Sequence, residues 1–118
     1  MVFEVRLIKD EDVLHRRIPP NYFKTNGTIS SSAYKVNGRP DVEISVDLAY
    51  LTTIEKTLED RLHFGVGSLI ALDPRSLGLG VVHDPLPDNE AHSLIKGATE
   101  NAQCSELARR TKIVKRPT

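Results

Sequence analysis

The sequence has one cysteine, no tryptophan, and only three phenylalanines and three tyrosines in 118 residues. Each shortage removes a class of protein. A lone thiol, Cys104, excludes a disulfide framework and a cysteine-built zinc site within one chain, and it suits a reducing compartment. Few aromatic rings leave few platforms on which single-stranded bases could stack. Net charge is missing too: sixteen basic and sixteen acidic residues cancel, so no overall field draws in nucleic acid or anionic lipid. No apolar run approaches the roughly 18 residues of a membrane span. The opening MVFEVRLIKDEDV lacks the basic start and apolar core of a secretory signal, so the expected compartment is the cytoplasm and the chain is expected to begin inside the fold. Dinucleotide, phosphate-loop and H-E-x-x-H zinc motifs are absent as well, and no cofactor or metal is expected from motifs.

What is there reads as a single domain, 1–118, with a basic tail from about 112. A charged share of 27% against 39% hydrophobic is ordinary for a chain that buries one core. Phe3, Val5 and Leu7 alternate with charges, as do the residues of VLHRRI before Pro19-Pro20, and both segments read as strands. Asn26-Gly27 predicts a tight turn into a further strand, TISSSAY, and Asn37-Gly38 marks a second turn. Val42, Ile44, Val46 and Leu48 give the cleanest strand, expected at the centre of the sheet. Thr52 and Glu55 suggest a capping box opening a helix of about three turns through Ile54, Leu58 and Leu62. VGSLIAL, Leu79–Val82 and Ala91–Lys96 add strands, Asp73-Pro74 starts a helical turn closed by Gly78, and Thr99 caps a last helix that buries Cys104, Leu107, Ala108 and Thr111. The predicted fold is α+β: a mostly antiparallel sheet with two main helices packed on one face.

The densest collection of polar groups is LGVVHDPLPDNEAHSLIKG, residues 79–97. Pro85 and Pro87 stiffen a loop that carries Asp84, Asp88, Asn89 and Glu90, a candidate binding surface. His83 and His92 flank it. Imidazole titrates nearest neutral pH, so His83, His92 and His15, with Arg16 or Arg17 to grip an anion, are the candidate catalytic groups. Glu43, Ser45 and Asp47 share the opposite face of the central strand from its apolar residues. The two carboxylates lie about 13 Å apart along it, which reads as a solvated face. At the C-terminal end, Arg109, Arg110, Lys112, Lys115 and Arg116 are candidates for phosphate contact, although a helix C-terminus by itself favours cations.

His15-Arg16-Arg17 with Ser30-Ser31-Ser32 distantly resembles ADP-ribosyltransferase folds, in which an early basic strand residue and a later Ser-rich strand grip a dinucleotide; the catalytic glutamate motif of those folds has no counterpart here. Over Leu14 to Val114, the order RRIPPNYF, GTISSSAYK, ISVDLA and VVHDPLPDNEAHSLIKG resembles a set of short bacterial proteins with no established activity. That resemblance implies a bacterial cytoplasmic origin and imports no site residues. The functional expectation is a non-catalytic interaction or accessory module of a larger bacterial assembly, contacting a protein partner through the rigid loop, with no membrane partner. The alternative is a small enzyme acting on a nucleotide or phosphoester through histidines and arginines.

Overall fold

The computed structural model describes residues 3–118. Within them the chain forms strands β1 (Val13–Ile18), β2 (Lys35–Val36), β3 (Arg39–Pro40), β4 (Glu43–Leu48), β5 (Gly65–Ile70), β6 (Gly80–His83), β7 (His92–Lys96) and β8 (Lys112–Lys115). Helices are α1 (Ile54–Leu58), α2 (Leu72–Arg75) and α3 (Asn101–Arg110). Six strands make one sheet in the order β6-β7-β4-β1-β5-β8, every neighbouring pair antiparallel, while β2 and β3 form a separate hairpin. The α+β class and the antiparallel sheet are those the periodicities predict. The hairpin turns at Asn37-Gly38, whose φ angles of 52° and 75° are the pair of positive values that a two-residue hairpin turn demands.

The sheet has two unlike faces because side chains alternate along each strand. One face carries Leu14 and Ile18 of β1, Ile44, Val46 and Leu48 of β4, Leu69 of β5 and Ile95 of β7, all buried in the main core. Helix α3 closes that face with Cys104, Leu107 and Ala108, the spacing that the sequence shows. Tyr34 is fully buried there; its hydroxyl shares a hydrogen bond with Thr111, and burial pushes the phenol up to about 12. The other face carries His15 and Arg17 of β1 and Ser45 and Asp47 of β4. It is capped by α1, whose Thr57 hydroxyl donates to Asp47. The two main helices are therefore divided between the faces. Pairing on one side was expected because helical periodicity shows that a helix has an apolar stripe and says nothing about which side of the sheet receives it.

Several local expectations change. Residues 3–9 are not a strand: Val5 and Leu7 are 69% and 88% exposed, and only Ile8 reaches the core. TISSSAY forms a 3₁₀ turn over Ser31–Tyr34, because the Ser30 hydroxyl accepts the Ser32 N–H and offers the backbone an alternative to a ladder. Helix α1 is capped by Thr53 and stops after five residues, where Glu59 takes φ 54° and turns the chain back toward β5. Glu100, not Thr99, caps α3, in a reciprocal box with Gln103. The basic residues from 112 do not form a tail, since Lys112–Lys115 pair with β5 as the edge strand β8. Val42 lies just outside β4 and is exposed.

Candidate functional site

The polar face is built around Asp47. Its cross-strand partners are His15 on β1 and His92 on β7, which places a histidine on each side of one carboxylate in three adjacent strands. Asp47 is 8% exposed, and burying a carboxylate is costly unless its oxygens are satisfied. Both are: Thr57 Oγ1 donates to Oδ2 at 2.8 Å and Asn89 Nδ2 donates to Oδ1 at 3.0 Å. The carboxylate thus ties α1 and the proline loop to the sheet.

His92 is held at both nitrogens. Nδ1 lies 2.9 Å from the Asp84 carbonyl oxygen and 3.2 Å from the Asp84 carboxylate. Neither oxygen can donate, so Nδ1 carries the proton, and in the neutral ring Nε2 keeps a lone pair. That nitrogen is 3.3 Å from the hydroxyl of Ser45, an exposed residue two positions along β4 from Asp47. His15 is different. Its Nδ1 is buried without a hydrogen-bond partner, and burial pulls its pKa below the ordinary histidine value, with the Asp47 charge opposing that shift.

These side chains line a cleft of about 400 Å³ whose walls also include Arg17, Glu59, Arg61, Phe64, Leu86, Asp88 and Asn89. Arg61 stacks its guanidinium over the Phe64 ring, and Arg17 donates to the Leu58 carbonyl at the C-terminal end of α1. Arg16 turns the other way. Beyond the pair His15–Asp47, its guanidinium reaches across to the Ser45 carbonyl at 2.6 Å and to the Ala33 carbonyl at 3.0 Å, over the Tyr34 ring. Among the described residues no group of three His, Cys, Asp or Glu side chains is placed to hold a metal ion. No family model, no curated protein and no solved structure matches this chain.

Of the candidates read from the sequence, His15, Arg16, Arg17, Asp88, Asn89 and His92 border the cleft, Arg16 with its guanidinium turned to the other side, and Asp84 holds His92 in place. His83 does not join them. It sits opposite Ser93, one residue from His92 and so on the other face, where it accepts the Arg6 N–H at Nδ1 and reaches the Glu90 carbonyl through Nε2. Glu90 faces Arg6 at 3.8 Å. His83 and His92, both candidates from the sequence, are kept apart because β6 and β7 pair in a register that puts them on opposite faces. The basic cluster is largely occupied: Arg109 and Arg110 share Glu106, Arg110 also donates to Ser76, and Lys115 donates to the Leu62, Phe64 and Arg116 carbonyls. Lys112 and Arg116 are exposed. Ser30–Ser32 lie in the turn on the core side, so no Ser-rich strand faces His15.

Sequence reading missed Ser45, Asp47, Thr57, Arg61 and Phe64 as parts of one site. The alternation of Glu43, Ser45 and Asp47 was legible, but a polar strand face looks the same whether water or a short helix covers it.

Proposed function

We propose that this chain is a small enzyme that acts on a small polar ester in the cleft between the sheet and α1, with His92 as its acid–base group. The observation that carries this reading is the fixed tautomer of His92: Asp84 holds the Nδ1 proton, and the basic Nε2 faces an exposed hydroxyl in an open cleft. An acceptor nitrogen beside an accessible hydroxyl is the arrangement that a general base requires.

A contact module is the second reading, and it rested on a rigid loop that displays its polar groups. Asn89 instead donates inward to Asp47, Asp84 is turned to His92, and Leu86 bridges back to Asn89 within the loop. That use of the loop favours the enzyme. Among the described residues no helix is long and apolar enough to cross a membrane.

The test is turnover of p-nitrophenyl esters of carboxylic and phosphoric acids by the full chain and by His92→Asn. Turnover that falls by about 10²-fold or more in the variant, at unchanged melting temperature, is expected. Equal rates in the two proteins would end the proposal.

A further inference from the structure

We infer that Ser45 is a nucleophile and that the cleft cleaves carboxylic esters through an acyl-serine intermediate. This rests on the reading of His92 as the acid–base group and adds the atom on which it acts. Two hydroxyls line the cleft. Thr57 already donates to Asp47, whereas the Ser45 hydroxyl has His92 Nε2 as its partner. The separation of 3.3 Å is slightly looser than a tight hydrogen bond, as is common in an unliganded nucleophile–base pair. Ser45 is exposed, so a substrate carbonyl can reach it, and it stands on a strand in the interior of the sheet, a rigid support. Asp84 is then a positioning residue, which holds the imidazole and stabilises the imidazolium that forms as it takes the serine proton.

The charge of the walls selects the substrate. Three arginines, Arg16, Arg17 and Arg61, are matched in the lining by Asp47, Glu59 and Asp88, so the cleft has no surplus of positive charge to hold a phosphate dianion. An uncharged carbonyl fits that balance, with Phe64 and Leu86 offering apolar surface to its acyl or alcohol part. Arg17 lies two positions from His15 on β1, as Ser45 lies two positions from Asp47 on β4. It lines the same cleft as Ser45 and is a cation available to the charge that develops on the carbonyl oxygen.

The step balances with water as the second substrate. Ser45 Oγ bonds to the carbonyl carbon while its proton passes to His92 Nε2; the bond to the alcohol then breaks and the alcohol leaves with that proton. Water next gives a proton to Nε2 as its oxygen attacks the acyl carbon, and Ser45 Oγ departs and recovers the proton, releasing the acid.

The experiment uses p-nitrophenyl acetate with the full chain, acid quenching, intact mass and peptide mapping. A burst of p-nitrophenolate and one acetyl group mapped to Ser45 are expected. Ser45→Ala should lose both and drop turnover by about 10³-fold, while Ser45→Cys keeps a nucleophile in place and retains an adduct at that position. Asp84→Asn should lower kcat with KM and melting temperature unchanged. Turnover that survives Ser45→Ala but not His92→Asn would overturn the nucleophile and leave His92 acting on water. An acetyl group on another residue overturns it too, as does turnover of p-nitrophenyl phosphate alone. Loss of every activity in the parent chain would remove both readings.

Discussion

The two faces of the same six-stranded sheet are built to different standards. The face under α3 is filled by aliphatic side chains, several without measurable exposure, such as Ile18, Leu48 and Ile95. The face under α1 is covered by a five-residue helix and two loops, and its polar groups bind one another through Asp47 while leaving a cleft open. Alternate positions of single strands serve both ends: Val46 and Leu48 hold the fold together, and Ser45 and Asp47, their neighbours in the chain, build the site. A thin cover held by a few hydrogen bonds is the arrangement that lets a site admit a ligand without opening the core.

The sharpest way to break the comparison is to place a charge on the filled face. Leu48→Asp puts a carboxylate opposite Leu14 at a position with no exposure, and the domain should lose its cooperative thermal transition. A variant that melts within a degree or two of the parent would show that this face is not the core. Truncation is milder. Leu48→Ala, at a site with no exposure, should cost about 2–5 kcal/mol in urea denaturation.

On the polar face the largest effect is expected at Asp47. Asp47→Ala leaves Thr57 and Asn89 without their acceptor, and the cost should be about 2–3 kcal/mol, with faster amide exchange concentrated in residues 86–90. Uniform exchange across the sheet instead would mean that Asp47 supports the whole domain and not its cover.

The smallest effect is a dependence on pH that also differs between the faces. The folded chain resists protonation of His15, so the unfolded chain binds the extra proton once pH falls below the ordinary value of 6.5. Stability should therefore fall as pH drops from 6.5 toward the lowered folded pKa and stop falling below it. His15→Gln should flatten that slope, read as the difference between parent and variant in urea midpoints at pH 7 and pH 5. On the outer surface of α3, Arg109 and then Arg110 hold Glu106 down to about 2, so its contribution is present above 4.5 and is lost only as pH falls toward about 2. Glu106 lies at the surface with its side chain 28% exposed, and solvent screening makes its share small. The His15 window opens below 6.5 and the Glu106 window only below 4.5, so Glu106→Gln should leave the change between pH 7 and pH 5 untouched.

Local chemistry determined much of this protein. Period-two alternation marked β1 and β4, the proline pair ended β1, Asn37-Gly38 made its hairpin, and the spacing of Cys104, Leu107 and Ala108 fixed the buried side of α3. Such signals depend on a few consecutive residues and survive any tertiary arrangement. The same signals misled where competing local bonds or missing partners intervened, at Ser30 and at Phe3–Leu7.

The site was decided elsewhere. Alternation tells which residues of a strand share a face, but which strands become neighbours, in what register, and which face a helix covers depend on pairings between distant segments. Ser45 and His92 are 47 positions apart, and Asp47 and Asn89 are 42 apart. Only the order β7-β4-β1 brings His92, Asp47 and His15 into one row, and only the register of β6 on β7 sends His83 to the opposite side. The sequence supplied the polar face, and the tertiary structure turned it into a cleft because α1 and the proline loop fold over it to satisfy a buried carboxylate.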